Sequence, residues 1–262
     1  SGSKTSEVGK MSVVLAAEHL TKTFVSPGRE DYTAVNDVSF SLHSGEKLAI
    51  IGESGSGKTT VVNMITRLLD ATSGTIRLDG EDITFKKGRE LKNVYKKMQM
   101  VFQTPTESFN PRRTLGDGIA ESLINHGGKK KEALEEAGHL LELCGLEREF
   151  AKRYPYEVSG GQCQRAAIAR AIAISPKLLI LDEATSALDV TIQKEILELL
   201  EKLKTERNMT YLFICHDIAL VQEFCDRVLV MYHGKIVEEG KPDEVIRNPK
   251  MDYTRRLIES VL

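Results

Sequence analysis

Residues 52–59, Gly-Glu-Ser-Gly-Ser-Gly-Lys-Thr, constrain the fold of this 262-residue chain more than any other stretch. They fit G-x-x-x-x-G-K-[ST], a loop that wraps backbone amides around phosphate. Such a loop works between a buried strand and a helix, and the flanking sequence supplies both. Leu48-Ala49-Ile50-Ile51 reads as a short apolar strand, and Thr59 to Leu69 as a helix with Val61, Val62, Ile65, Leu68 and Leu69 at helical spacing. Within the loop, Gly52, Gly55 and Gly57 let the backbone approach phosphate oxygens closely, with Glu53, Ser54 and Ser56 between them. The first N–H groups of the helix, through Thr60, point at the anion. Lys58 supplies a point charge for the β- and γ-phosphates, and the Thr59 hydroxyl is placed to ligate Mg²⁺. A nucleotide is the implied ligand.

The rest of the composition excludes more than it specifies. Lys and Arg total 36 against 38 Asp and Glu, a net charge of −2, so there is no basic field for nucleic acid. Hydrophobic residues make up 41% of the chain, sufficient for a sizeable core. No run approaches the ~18–20 apolar residues that span a bilayer. The N-terminus carries no charged-then-apolar leader, from which a cytosolic placement is expected. Ser1-Gly2-Ser3 reads as a cloning scar, Met11 as the natural start, and residues 1–11 as a frayed tail. Cys144, Cys163, Cys215 and Cys225 lack C-x-x-C spacing and are expected to be packed thiols.

Taken in order, the chain reads as an α/β core interrupted by helices. Strands are expected from Val13 to Leu15, Leu20 to Phe24, Ala34 to Leu42 and Gly74 to Leu78, with loop chemistry at 26–31. Lys86 to Lys97 reads as a solvated helix face before the strand Met98 to Phe102, which ends at Gln103. From 104 to 175 the texture is helical. Ala133, Leu134, Ala137, Leu140 and Leu141 share one face closed by Gly145, and a second helix opens at Ser159-Gly160-Gly161-Gln162 and stops before Pro176. The run Leu178 to Leu181 is continuous enough for a parallel strand buried on both faces. Asp189 can cap the next helix, Tyr211 to Ile214 form a strand, and His233-Gly234 turn a hairpin. Residues 241–262 read as short helices broken at Pro242 and Pro249.

A phosphate site of this kind needs an acid for the metal and a group to orient water. Asp182, at the carboxyl end of its apolar strand, suits the metal role, and Glu183 beyond it suits a general base. An Asp-Glu pair after a strand also reads as an ordinary helix N-cap. Its distance from the P-loop, and Ala184-Thr185-Ser186-Ala187-Leu188-Asp189 after it, favour the catalytic reading.

Val158-Ser159-Gly160-Gly161-Gln162, ahead of that strand, resembles the signature L-S-G-G-Q of ABC (ATP-binding cassette) ATPases, with Val for Leu. The resemblance covers nearly all of residues 12–262 and implies a P-loop NTPase (RecA-like) core over 12–103 and 176–262. That core would carry an N-terminal antiparallel β-region, with a helical signature subdomain inserted at 104–175. It further implies that two subunits pack head to tail, so that Ser159, Gly160, Gly161 and Gln162 of one cap the ATP on the P-loop of the other. Gln103 resembles the glutamine that senses Mg²⁺ and the attacking water, and His216 the switch histidine that contacts the γ-phosphate. Ser186 to Asp189 resemble the D-loop, whose Asp189 communicates across the dimer. An aromatic ring is expected under adenine, supplied by Phe24 or, in competition, by Tyr32.

Two stretches narrow the resemblance. Gln103-Thr104-Pro105-Thr106-Glu107-Ser108-Phe109-Asn110-Pro111-Arg112 is similar to the Q-D-P-x-x-S-L-N-P-R stretch of oligopeptide, dipeptide and nickel importer ATPases. Asn248-Pro249 with Tyr253-Thr254-Arg255 is similar to that group's N-P-x-x-x-Y-T. Thr104, Phe109 and Cys163 depart from the pattern, and the extended cysteine-containing tail of some members is absent. The implied function is ATP hydrolysis powering an importer of peptides or a related small solute, nickel or a metal chelate included. The implied partners are membrane permease subunits, a second ATPase (identical or different) and, indirectly, a substrate-binding protein, at the cytoplasmic face of the membrane. The alternative is a soluble ABC ATPase of a phosphonate-utilisation complex.

Overall fold

The computed structural model describes residues 12–25, 27–28, 30–184 and 188–260. The chain opens with β1 (Val13–Phe24) paired antiparallel to β2 (Tyr32–His43). The two segments expected at 13–15 and 20–24 are therefore one strand. Register shifts between Ala17 and Leu20, around a left-handed His19 (φ 53°), bulge it in the middle and break the alternation by which a strand is read. β3 (Lys47–Ile51) then leads through the P-loop into α1 (Lys58–Ile65), after which β4 (Ser73–Leu78) and β5 (Glu81–Asp82) return to the first sheet.

Helix α1 is shorter than its apolar spacing predicts. It ends at Ile65 because the Thr66 hydroxyl donates back to the Val62 carbonyl and Arg67 turns left-handed at φ 61°. Leu68, expected on the buried face, is consequently 62% exposed.

The chain continues through α2 (Leu91–Lys97) and β6 (Met98–Val101) into a run of helices, α3 (Leu115–Asn125), α4 (Lys130–Leu143) and α5 (Gly160–Ile172). Strand β6 stops one residue short of expectation, and Phe102 lies 41% exposed beyond it. Gly145, at φ 77°, closes α4: its N–H donates to Glu142 and that of Leu146 to Leu141, the two bonds of a Schellman turn. β7 (Leu178–Asp182), α6 (Val190–Arg207), β8 (Thr210–Ile214) and α7 (Ile218–Phe224) follow. The chain ends in the hairpin β9 (Arg227–Tyr232) and β10 (Lys235–Gly240), then α8 (Pro242–Arg247) and α9 (Asp252–Glu259). His233 and Gly234 both take positive φ, as a two-residue hairpin turn requires.

The central sheet has the order β10-β9-β3-β8-β7-β6, parallel except for β10. Its apolar strands are sorted with a period of two. Ala49, Ile51, Leu179, Leu181, Tyr211 and Phe213 face a core shared with the helices, through Ile119, Leu140, Ile168, Leu199 and Val221. Leu48, Ile50, Leu178, Ile180, Leu212 and Ile214 face a second core with Val61, Val62, Met64 and Ile65 of α1 and with Leu15 and Val35 of the antiparallel sheet. Covering both faces is what makes these strands read as unbroken hydrophobic runs. It also places the carboxyl ends of β3, β6, β7 and β8 along one edge, where open α/β sheets bind ligands.

Candidate active site

The P-loop leaves the carboxyl end of β3 under close packing. A Cβ added at Gly52 would fall 2.3 Å from the Met231 carbonyl, so no side chain fits there. Gly57 forms the N-cap of α1 at φ 106°, with no side chain capping the helix, which leaves its first N–H groups to a ligand. Lys58 is buried and its ammonium donates to the carbonyls of Gly52 (2.7 Å) and Glu53 (2.9 Å). Burial pulls the Lys58 pKa below the usual lysine range, against the charges of Glu183 and Asp182, which hold the proton on.

Two supports of the loop come from distant segments. The Ser56 carbonyl accepts the Gly234 N–H of the hairpin turn (2.9 Å), and the Tyr253 hydroxyl of α9 accepts the Glu53 N–H (3.0 Å).

Acidic residues arrive from β7. Asp182 is its last residue, and helix α6 begins only at Val190 with Asp189 as its cap, so the Asp182-Glu183 pair does not cap a helix. Burial first, then the neighbouring Glu183, raises the Asp182 pKa, and Lys58 and His216 act against that. Glu183 stands at a left-handed φ of 48°, fixed by its N–H donating to the Ile214 carbonyl of β8 (2.8 Å). From the end of β8, His216 brings its Nε2 within 2.6 Å of Glu183 Oε1. Asp217 beside it caps α7 and accepts from Gln193 of α6, which anchors the histidine's segment between two helices.

A cleft of about 190 Å³ brings together Ser54, Gly55, Gly57, Lys58, Thr59 and Thr60 with Glu183 and His216. Phe24 and Tyr32 also line it, and they are direct partners across β1 and β2, so both candidate rings stand at the same end of the cleft. Gly52, Glu53 and Ser56 belong to the loop beneath. Gln103 sits exposed two residues beyond β6, outside the lining of this cleft. Asp189 is exposed, its carboxylate accepting the Ile192 N–H (3.0 Å). Ser186 falls outside the described residues.

Ser159 to Gln162 also lie away from the cleft of their own chain. They open α5, where the Ser159 hydroxyl accepts the Gln162 N–H and the Gln162 amide oxygen accepts the Ser159 N–H.

The residues present fit Mg²⁺. Asp182 and the exposed Thr59 supply a carboxylate and a hydroxyl beside an anion site, the donor set this hard cation takes when phosphate oxygens and water complete its shell. Tyr253 and Gly234 are the contacts that the sequence did not disclose. Tyr253 stood in a motif and His233-Gly234 in a turn, but neither spacing says what the residue touches.

The family model described as "ABC transporter" matches residues 35–186, which include Lys58, Gln103, Ser159 to Gln162, Asp182 and Glu183. The chain is 45% identical over 251 residues to the oligopeptide transport ATP-binding protein OppF of Bacillus subtilis, covering 95% of this chain and 82% of that one. It is 41% identical to the dipeptide transport ATP-binding protein DppF of Lactococcus lactis, over 95% and 81% of the two chains. Among solved structures it resembles the dimeric, ADP- and phosphate-bound ATP-binding cassette MJ0796. That match has a TM-score of 0.78 and 32% identity, over 87% of this chain and 98% of that one. The chain belongs to the ABC transporter family as an ATP-binding subunit, a nucleotide-binding ABC-type ATPase.

Proposed function

We propose that this subunit hydrolyses ATP to power an importer of peptides or a related small solute. The observation that carries the reading is the convergence, in one cleft, of an uncapped helix N-terminus, Lys58 and the Glu183–His216 pair. Lys58 and the first amides of α1 bind the phosphates. Glu183 takes a proton from the attacking water, and His216, hydrogen-bonded to its carboxylate, orients it and faces the γ-phosphate. Thr59 and Asp182 would hold Mg²⁺, with Gln103 joining them only if its segment moves toward the cleft, and the ion would neutralise charge developing on the phosphates. Phe24 or Tyr32 stacks on adenine.

Residues 12–103 and 176–262 serve as the ATP-binding core, and 104–175 as the subdomain that meets a permease. Ser159 to Gln162 lie outside their own cleft, which supports a head-to-tail pair in which each signature completes its partner's site. Asp189 stands at that junction. The names of the relatives, oligopeptide and dipeptide transport proteins, support a peptide as the solute. No described helix is long and apolar enough to cross a membrane. The relatives' names as transport proteins support membrane permease subunits as partners, at the cytoplasmic face.

The test is affinity purification of Glu183→Gln with ATP and Mg²⁺ from detergent-solubilised cells of the source organism. Recovery of integral membrane permeases is the expected result. Recovery of soluble enzymes alone would sink the transport reading in favour of the phosphonate-type one.

A further inference from the structure

One peptide group in the P-loop is held at both ends. The carbonyl of Gly52 accepts the Lys58 ammonium (2.7 Å), and the N–H of the same Gly52–Glu53 peptide donates to the Tyr253 hydroxyl (3.0 Å). Tyr253 comes from α9, 200 residues further along the chain. Its ring is buried and stacks on Tyr232 at the end of β9, with centroids 3.9 Å apart and planes at 28°. Helix α9 is itself fixed from β10. Glu238 is 8% exposed, and its carboxylate accepts the N–H of Lys250 (2.8 Å) and of Met251 (3.1 Å), just ahead of the helix. Thus β10 sets α9, α9 sets Tyr253, and Tyr253 sets the plane of the peptide to which Lys58 is bonded.

We infer that Tyr253 is a positioning residue for the phosphates of the nucleotide, which makes the C-terminal helix part of the nucleotide site. The inference rests on the reading of the P-loop as that site. Glycine at position 52 lowers the barrier to rotating the peptide plane. Packing against the Met231 carbonyl restrains the Cα, and the Glu53 N–H is left to donate elsewhere. The tyrosine hydroxyl is its acceptor. Without it the plane can turn, and the Gly52 carbonyl and the Lys58 ammonium lose their common alignment before phosphate arrives. The cost falls on binding, because the hydroxyl's partner is an amide of the phosphate loop.

The test uses the full chain carrying Tyr253→Phe, which keeps the stacked ring, beside Tyr253→Leu, which removes both ring and hydroxyl, and Lys58→Ala. Loss of one neutral hydrogen bond should raise the KM for ATP about fivefold in Tyr253→Phe, with kcat within about twofold of wild type. Its thermal midpoint should stay within about 2 °C, while that of Tyr253→Leu falls further. An unchanged KM in Tyr253→Phe, with ATP binding lost in Lys58→Ala, would overturn the positioning role and leave the phosphate site intact. Equal losses of thermal midpoint in the Phe and Leu variants, with kcat and KM altered together, would make Tyr253 a structural residue only. Normal ATP binding by Lys58→Ala would overturn the P-loop reading itself.

Discussion

Two of the glycine-rich helix starts among the described residues, those of α1 and α5, are built in opposite ways. At α1 the N-cap is Gly57, which has no side chain to cap with, and the loop ahead of it is pinned by Lys58, Gly234 and Tyr253. At α5 the N-cap is Ser159, and Ser159 and Gln162 satisfy each other's amides in a capping box. A Cβ at Gly160 meets nothing within 4 Å, whereas one at Gly161 would lie 2.6 Å from Ile192 Cγ2 of α6. The first start is a rigid cradle whose free donors face its own cleft. The second is a self-satisfied, exposed surface fastened to α6 from behind, where Arg165 also pairs with Glu195 (2.6 Å). Both are anion-friendly by sequence. One faces its own cleft, and the other stands exposed with Ser159 and Gln162 satisfying each other's amides.

The sharpest break between the two comes from removing chemistry at the cradle. Glu183→Gln should lower hydrolysis about 10²–10⁴-fold, the usual worth of a general base, while ATP-bound pairs accumulate on size exclusion. Turnover at the native rate would refute that role. At the exposed start, Gly160→Ala should leave the thermal midpoint at or slightly above wild type, since the Cβ has space and alanine favours helix. Hydrolysis by the paired subunits should nevertheless fall about 10–10²-fold if that surface closes on a partner's phosphate. ATP binding by a single chain should be unaffected. Gly161→Ala should instead destabilise by about 1–3 kcal/mol, because its Cβ drives into Ile192.

A further prediction turns on charge. Burial raises the Asp182 pKa, so the folded chain holds that proton more tightly than the unfolded one. The stability this contributes is fully present below the unfolded carboxylate range and is lost as pH climbs through the raised value. Asp182→Asn should therefore raise the thermal midpoint at neutral pH while abolishing Mg²⁺-dependent hydrolysis, and a midpoint that falls would reverse the sign of the argument. Wild-type affinity for Mg²⁺-ATP should begin to decline, on acidification, above the ordinary aspartate range. The smallest effect belongs to the capping box. Ser159→Ala should cost about 1 kcal/mol, read as a midpoint some 2–4 °C lower.

Much of the nucleotide cleft was legible because its parts are local. Glycine spacing, a lysine at a helix start and acids at a strand end specify backbone geometry within a few residues, and β3, β7 and β8 stand where the apolar runs place them. The failures have local causes too. The bulge at His19 hid the continuity of β1, and the left-handed Arg67 ended α1 before the pattern of leucines did. Helix α7 gave no signal strong enough to be read, since its apolar positions span only Ile218 to Phe224.

The sequence by itself determined which chemistry the chain carries, because each motif is a contiguous piece of backbone with its side chains already in order. Only the tertiary structure decided which motifs meet. Glu183 and His216 come within 2.6 Å because β7 and β8 are neighbours in register, and Tyr253 reaches Glu53 because α9 is clasped by Glu238. Spacing along a chain fixes the face of an element. The partner of that face is fixed by how buried surfaces pack, and a sheet edge then collects what the packing has aligned.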